Sequence, residues 1–312
     1  MKKNQKFGGI SQTSTAIALA ILLAACGAQR ASPVVEAIQA TQSDAIDSSL
    51  NTIRSPDSVT QSFPSKIIGE NNLVKVKADG SNVDSSLRGL LNAFGLITIG
   101  GNGACTATHL GNGYVLTAGH CFVADETNPN QTYANKDCSD IKVYWGYRGS
   151  PATGSAKPAV SKISQCTKII YGELTPASDF AIFKVDSAPN AKIAIATETK
   201  RTVSNTKLTI FGYPQARPLE WSQFCALKPN SAVSLGGFKG PSTFVHQCDT
   251  EPGNSGSSII AINASGVAKV IGVHDGSTPA EYNYGTFMYD IRAKLKSKGL
   301  DLDKATSGGF SI

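Results

Sequence analysis

From residue 67 onward the chain is a succession of short apolar runs closed off by Gly, Asn, Asp or Pro, at 94–99, 113–117, 141–147, 180–185, 208–213, 258–262, 269–273 and 285–289. Many short runs at modest spacing predict strands, and an all-β barrel or sandwich. Only 289–298 (YDIRAKLKSK) reads as a helix, with Ile291 and Leu295 four apart and lysines in its last turn before Gly299. Thirty glycines and fourteen prolines, spread without a repeat, supply the turns such a fold needs. With 41% hydrophobic and 17% charged side chains, 312 residues bury a sizeable core, as one long domain or two small ones. Disordered and coiled-coil classes drop out.

The amino terminus has a different texture. Lys2, Lys3 and Lys6 precede an apolar stretch at 15–25 (TAIALAILLAA), too short to span a bilayer as a stable anchor, and residues 1–25 read as a signal peptide. The stretch ends Leu23-Ala24-Ala25-Cys26, which resembles the lipobox of bacterial lipoproteins, in which the cysteine thiol is acylated and becomes the first mature residue. Residues 26–66, rich in Ala, Ser, Gln, Thr and Pro without sustained period, read as a linker or propeptide. Loss of the leader lowers the formal charge from +6 to +3. No basic run remains to track phosphates, which argues against nucleic acid as a partner. Of seven cysteines, six follow Cys26: Cys105, Cys121, Cys138, Cys166, Cys225 and Cys248. An even number in an exported chain reads as a disulfide framework with fifteen possible pairings. Metal binding is the alternative, though no Cys-x-x-Cys occurs.

Three segments carry chemistry. His120, in Thr117-Ala118-Gly119-His120-Cys121, follows an apolar strand and is well placed to be held rigidly. Asp179 opens the apolar run Phe180-Ala181-Ile182-Phe183, where a carboxylate without a partner is costly and an imidazole would satisfy it. Ser255 lies in Gly253-Asn254-Ser255-Gly256-Ser257, whose glycines permit a strained turn with two N–H groups converging on one point.

In the order His, Asp, Ser, these motifs resemble those of the chymotrypsin-like serine protease superfamily, over residues 67–298. The resemblance implies an all-β fold of two six-stranded antiparallel β-barrels packed together with a C-terminal helix, the first at 67–190 and the second at 191–312. It implies that Ser255 attacks the scissile carbonyl, that His120 takes its proton and delivers it to the leaving amine, and that Asp179 orients the imidazole. The N–H groups of Gly253 and Ser255 would form the oxyanion hole, such donors contributing on the order of 10²- to 10³-fold each. No cofactor is called for. The spacing of Cys105 and Cys121 is like that of the family's disulfide beside the catalytic histidine, and sequence proximity pairs Cys138 with Cys166 and Cys225 with Cys248. Two departures stand out: Gly119 replaces a commoner alanine, and Asn254 replaces the aspartate that receives the new amino terminus in trypsin-like members.

The specificity pocket reads two ways. Asp249, six residues before Ser255, matches the aspartate with which trypsin-like enzymes bind Arg or Lys. Yet the stretch Asp249-Thr250-Glu251-Pro252-Gly253-Asn254-Ser255-Gly256-Ser257 is similar to the bacterial glutamyl endopeptidase branch, in which the threonine faces the substrate carboxylate. Ile271-Gly272-Val273-His274-Asp275-Gly276 resembles that branch's Gly-hydrophobic-His segment, whose histidine binds glutamate. An imidazole stabilised as imidazolium suits a carboxylate and repels a guanidinium. Ser277 adds a hydroxyl, and Asn283-Tyr284-Gly285-Thr286 is like the segment that closes that branch's catalytic domain. His109 and His246 have no comparable placement and read as structural or solvent-facing.

Lys66-Ile67-Ile68-Gly69 looks like a zymogen activation site. Cleavage there would shed the lipid anchor and leave a domain of charge +4. The freed amine, lacking an aspartate at 254, would help complement a substrate carboxylate near His274. The sequence therefore predicts a monomeric serine endopeptidase of the envelope or exterior, acting on proteins or peptides after Glu. The alternatives are cleavage after Arg or Lys, and a non-catalytic, lipid-anchored binding protein on the same fold.

Overall fold

The computed structural model describes residues 65–123, 128, 130–148, 160–198, 207–228, 242–278 and 282–307. The signal peptide, Cys26 and the linker as far as residue 64 lie outside the described residues.

The apolar runs are continuous rather than alternating because most strands are buried on both faces. In β8 (Ser178–Val185), Ala181, Phe183 and Val185 enter one cluster while Phe180 and Ile182 enter another. In β13 (Ser258–Ile262), Ile259 and Ala261 point one way and Ile260 the other. The period of two is intact, but each face meets a core: the inside of its own barrel, or a shared layer of Phe94, Leu116, Ile182, Phe211, Tyr213 and Val273.

The first sheet contains β2 (Phe94–Ile99), β3 (Asn102–Gly111), β4 (Tyr114–Thr117), β5 (Gln131–Lys136), β6 (Ile141–Trp145), β7 (Lys162–Thr175) and β8. Its order is β5-β7-β6-β2-β3-β4-β8, and β7 also pairs with β8, so six strands close into a barrel with β5 outside the ring. The second sheet has eight strands rather than six. It contains β1 (Val74–Lys75), β9 (Lys207–Gly212), β10 (Glu220–Trp221), β11 (Leu227–Lys228), β12 (Thr243–His246), β13, β14 (Ala268–Ser277) and β15 (Asn283–Phe287). Their order is β1-β10-β9-β13-β14-β15-β12-β11, and a bridge between Leu208 and Cys225 joins β9 to the chain entering β11. Six strands thus encircle the second core, and β1 and β10 extend it. The arm that begins near Ile67 adds β1 to the second sheet, on the far side of the expected boundary at 190 from the barrel to which its sequence position assigned it.

The helix expected at 289–298 is α1 (Met288–Ser297), which buries Met288, Ile291 and Leu295 on one face. Gly299, at φ +87°, ends it, with the Leu300 N–H returning to the Leu295 carbonyl. A short α2 (Leu302–Ser307) follows, held by Asp303 to Arg292 of α1. The six described cysteines form three disulfides, Cys105–Cys121, Cys138–Cys166 and Cys225–Cys248. They leave no thiolates for a metal, although Cys105, Cys121 and His120 cluster.

Candidate active site

Strands β4 and β8 run antiparallel with Thr117 opposite Ala181. This register sets the residue three past Thr117 beside the residue two before Ala181, and so brings His120 to Asp179. The His120 backbone N–H donates to Asp179 Oδ1 at 2.9 Å, and His120 Nδ1–H donates to Asp179 Oδ2 at 2.5 Å. Both side chains are buried. With Nδ1 fixed as a donor, Nε2 is left as the ring's base. The backbone N–H of Asp179 donates to Thr286 Oγ1 of β15 at 2.9 Å, tying the first barrel's carboxylate to the second barrel.

Gly119 is a close-approach glycine. A Cβ there would stand 2.1 Å from the Glu173 carbonyl oxygen, and Tyr133 Oη–H donates to the Gly119 carbonyl at 2.6 Å. The departure from alanine fits a turn pressed against β7.

Ser255 sits between Gly253 (φ +96°) and Gly256 (φ +82°), a left-handed backbone that favours glycine at both places. Three contacts with the first barrel pin this loop. The Thr106 N–H donates to the Ser255 carbonyl at 2.8 Å, Thr106 Oγ1–H donates to the Gly253 carbonyl at 2.9 Å, and a Cβ on Gly256 would lie 2.1 Å from Thr117 Oγ1 and 2.8 Å from the Ala118 nitrogen. The serine's loop is therefore seated on the strand that delivers His120. Among the described residues, Ser255 Oγ makes no hydrogen bond, and neither do the backbone N–H groups of Gly253 and Ser255. Apo sites commonly hold such groups unengaged. Asn254 is buried, packed against Gly212.

Asp249 departs from its expected place in the pocket. Its two oxygens accept the backbone N–H groups of Ile68 and Asn72, each at 2.7 Å, so the carboxylate anchors the amino-terminal arm. The arm then runs past the other pocket candidates. The Thr250 N–H donates to the Lys66 carbonyl at 3.0 Å, and the Lys66 N–H lies 3.3 Å from Thr250 Oγ1 and 3.1 Å from Asn283 Oδ1. Ser65 Oγ is 3.1 Å from His274 Nε2. Ser277 Oγ has no hydrogen-bond partner among the described residues.

His274 and His246 form a pair, so His246, read as structural or solvent-facing, is buried against the pocket candidate rather than facing solvent. Both are fully buried, with His246 Nε2 at 3.3 Å from His274 Nδ1. Burial, with His246 and His120 nearby, pushes His274 well below the ordinary histidine range, and burial pushes His246 down to about 3. His274 is thus neutral here rather than an imidazolium. Two tautomers fit the contacts, because the Ser65 hydroxyl can accept or donate: with the proton on His274 Nε2, His246 Nε2–H donates to His274 Nδ1, and with it on His274 Nδ1 both directions reverse. No signal in the sequence marks His246, because its place opposite Asn283 in a neighbouring strand is readable only once the topology is known. His109 is structural, its Nδ1 bonded to the Ala191 carbonyl at 2.8 Å.

The model of the Trypsin-like peptidase domain matches residues 101–273, more than half of the chain. The chain belongs to that family. It is a serine protease of chymotrypsin-like fold. Among solved structures, that of a Glu endopeptidase in complex with MPD is similar at 22% identity over 75% of this chain and 98% of that one, with a TM-score of 0.52. An inactive form of the Rv3671c protease is similar at 18% identity over 69% of this chain and 93% of that one, with a TM-score of 0.46. No curated protein matches the chain.

Proposed function

We propose that this protease is an endopeptidase that cuts after glutamate, with Ser255 as nucleophile, His120 as general base and acid, and Asp179 as the group that orients and charge-stabilises the imidazole. The short bond between His120 Nδ1 and Asp179 supports the last two roles, and the seating of the Ser255 loop on the His120 strand supports the first. An acyl-enzyme would form on Ser255 Oγ while the N–H groups of Gly253 and Ser255 hold the oxyanion.

The observation that carries the glutamate reading is the buried pair of His274 and His246, with Asp249 held by the arm. The Asp249 carboxylate, already bonded to two backbone N–H groups, offers little to a guanidinium. A neutral imidazole with Nε2–H available donates to a carboxylate, and the arriving charge would raise its proton affinity. The fold shared with a Glu endopeptidase structure is in keeping with this.

In the uncut chain Ser65 Oγ takes the place at His274 Nε2 that a substrate oxygen would need. Cleavage between Lys66 and Ile67 would remove it. The new amine would lie between the Lys66 site at Thr250 and the Ile68 N–H on Asp249, where its charge would favour an acidic side chain. We further propose export with a lipid on Cys26 and release on this cut. The three disulfides are compatible with an extracellular protease.

Matched peptides differing only in the residue before the scissile bond (Glu, Asp, Arg, Phe, Ala) test the reading, using protein that begins at Ile67 and Ser255→Ala as blank. Glu should be preferred, and His274→Ala should reduce kcat/KM for the Glu peptide by roughly 10- to 100-fold, the size of one lost charge-assisted hydrogen bond. Preference for Arg would overturn the glutamate assignment, and absence of cleavage would favour the binding-protein reading.

A further inference from the structure

A second carboxylate lies in the site without a role so far. Asp275 follows His274 in β14, where the register against β15 slips between His274 and Gly276. The bulge places its extra residue at Asp275, and two successive side chains, His274 and Asp275, are buried. Asp275 Oδ2 accepts a hydrogen bond from Thr286 Oγ1 at 2.8 Å, and the same hydroxyl accepts the Asp179 backbone N–H at 2.9 Å. Asp275 Oδ1 has no hydrogen-bond partner among the described residues. No lysine or arginine pairs with Asp275 among them either.

We propose that Asp275 is a positioning residue of the catalytic group that works as a neutral acid, fixing Thr286 and through it Asp179 while leaving the single negative charge of the two carboxylates on Asp179. This rests on the serine endopeptidase reading above. Two carboxylates in one buried site cannot both ionise at ordinary cost, and the proton goes to the less supported one. Asp179 accepts two N–H donors from His120, whereas Asp275 accepts one hydroxyl. Burial and the Asp179 charge push Asp275 well above the ordinary carboxylate range. The other titratable groups around them are His120 after β4, His274 in β14, His246 in β12, Tyr284 in β15 and Tyr133 in β5. Burial keeps His274 and His246 uncharged and holds the phenol protons on Tyr284 and Tyr133, so none of these four offsets a second negative charge.

Two measurements on the protein beginning at Ile67 decide the matter. In the infrared difference spectrum of wild type against Asp275→Asn at neutral pH, the wild type should carry the band of a neutral carboxylic acid that the variant lacks. Loss of carboxylate bands alone overturns the proposal, and this arm needs no turnover, so it stands apart from any failure of the endopeptidase reading. In steady-state kinetics, Asp275→Ala should lower kcat on the order of 10²-fold with KM unmoved, the scale of a misplaced catalytic group. Asp275→Asn should recover most of that loss and keep the acidic limb of the kcat/KM profile, set by His120, where it was. An unchanged kcat in Asp275→Ala, or an acidic limb that falls by about one unit or more in Asp275→Asn because a charge was removed, overturns it.

Discussion

Gly119 shows how one missing methyl group sets the position of the proposed base. Its φ of −69° is open to any residue, so the need for glycine comes from the Glu173 carbonyl 2.1 Å from where a Cβ would stand. That oxygen belongs to β7, which cannot shift without disturbing its pairing with β8. Gly119→Ala should therefore cost about 1–3 kcal/mol in urea unfolding, as overpacking does, and should lower kcat by moving His120 relative to Ser255. Wild-type stability and turnover in this variant would show that the turn has room. His274 carries the opposite lesson. The sequence marks it through its Gly-flanked segment, but its charge state depends on burial and on His246, which only the assembled sheet brings to it.

At the scale of elements, the two buried histidines on β12 and β14 make stability depend on pH. His246 has a folded value of about 3 against an ordinary 6.5, so the unfolded chain binds the extra proton between those limits. Its contribution is fully present above about 6.5 and is lost as pH falls toward 3. The thermal midpoint should drop over that window, and His246→Phe should flatten the drop. An equally steep fall in the variant would assign it to other groups. The strands themselves were legible where both faces are apolar: β2 and β13 have the limits of their apolar runs, and β8 begins at Ser178, two residues before its run. Strand β7 was not legible, because KISQCTKIIYGELT interleaves polar residues and its register shifts twice against β8. Strand β3 hid for another reason, since Thr106 and Thr108 occupy fully buried positions that periodicity reserves for apolar residues. The candidate site was legible in His120, Asp179 and Ser255 because each sits in a short local motif. Thr106, Thr286 and Asp275 were not, because their role is to join segments more than a hundred residues apart, or a strand to its neighbour.

At the scale of the molecule, the proposed catalytic groups come from both barrels and the arm reaches the pocket from outside them. Thr106 holds the Ser255 loop from the first barrel, and Thr286 holds Asp179 from the second, so each barrel positions the other's group. Tyr213 Oη–H adds a bond to the Phe94 carbonyl across the same layer at 2.9 Å. The arm is bound by Asp249, Thr250 and Asn283, with Ser65 against His274, so on the proposed pocket assignment the uncut chain would be a poor host for a substrate side chain. The central claim is that Ser255 is the activated nucleophile of a serine endopeptidase. The most direct measurement is labelling with a fluorophosphonate, followed by mass spectrometry of the modified peptide, in protein cut after Lys66, with His120→Ala and Ser255→Ala alongside. A single adduct on Ser255 that disappears in both variants is the expected result; an adduct elsewhere, or equal labelling of Ser255 without His120, would contradict that role.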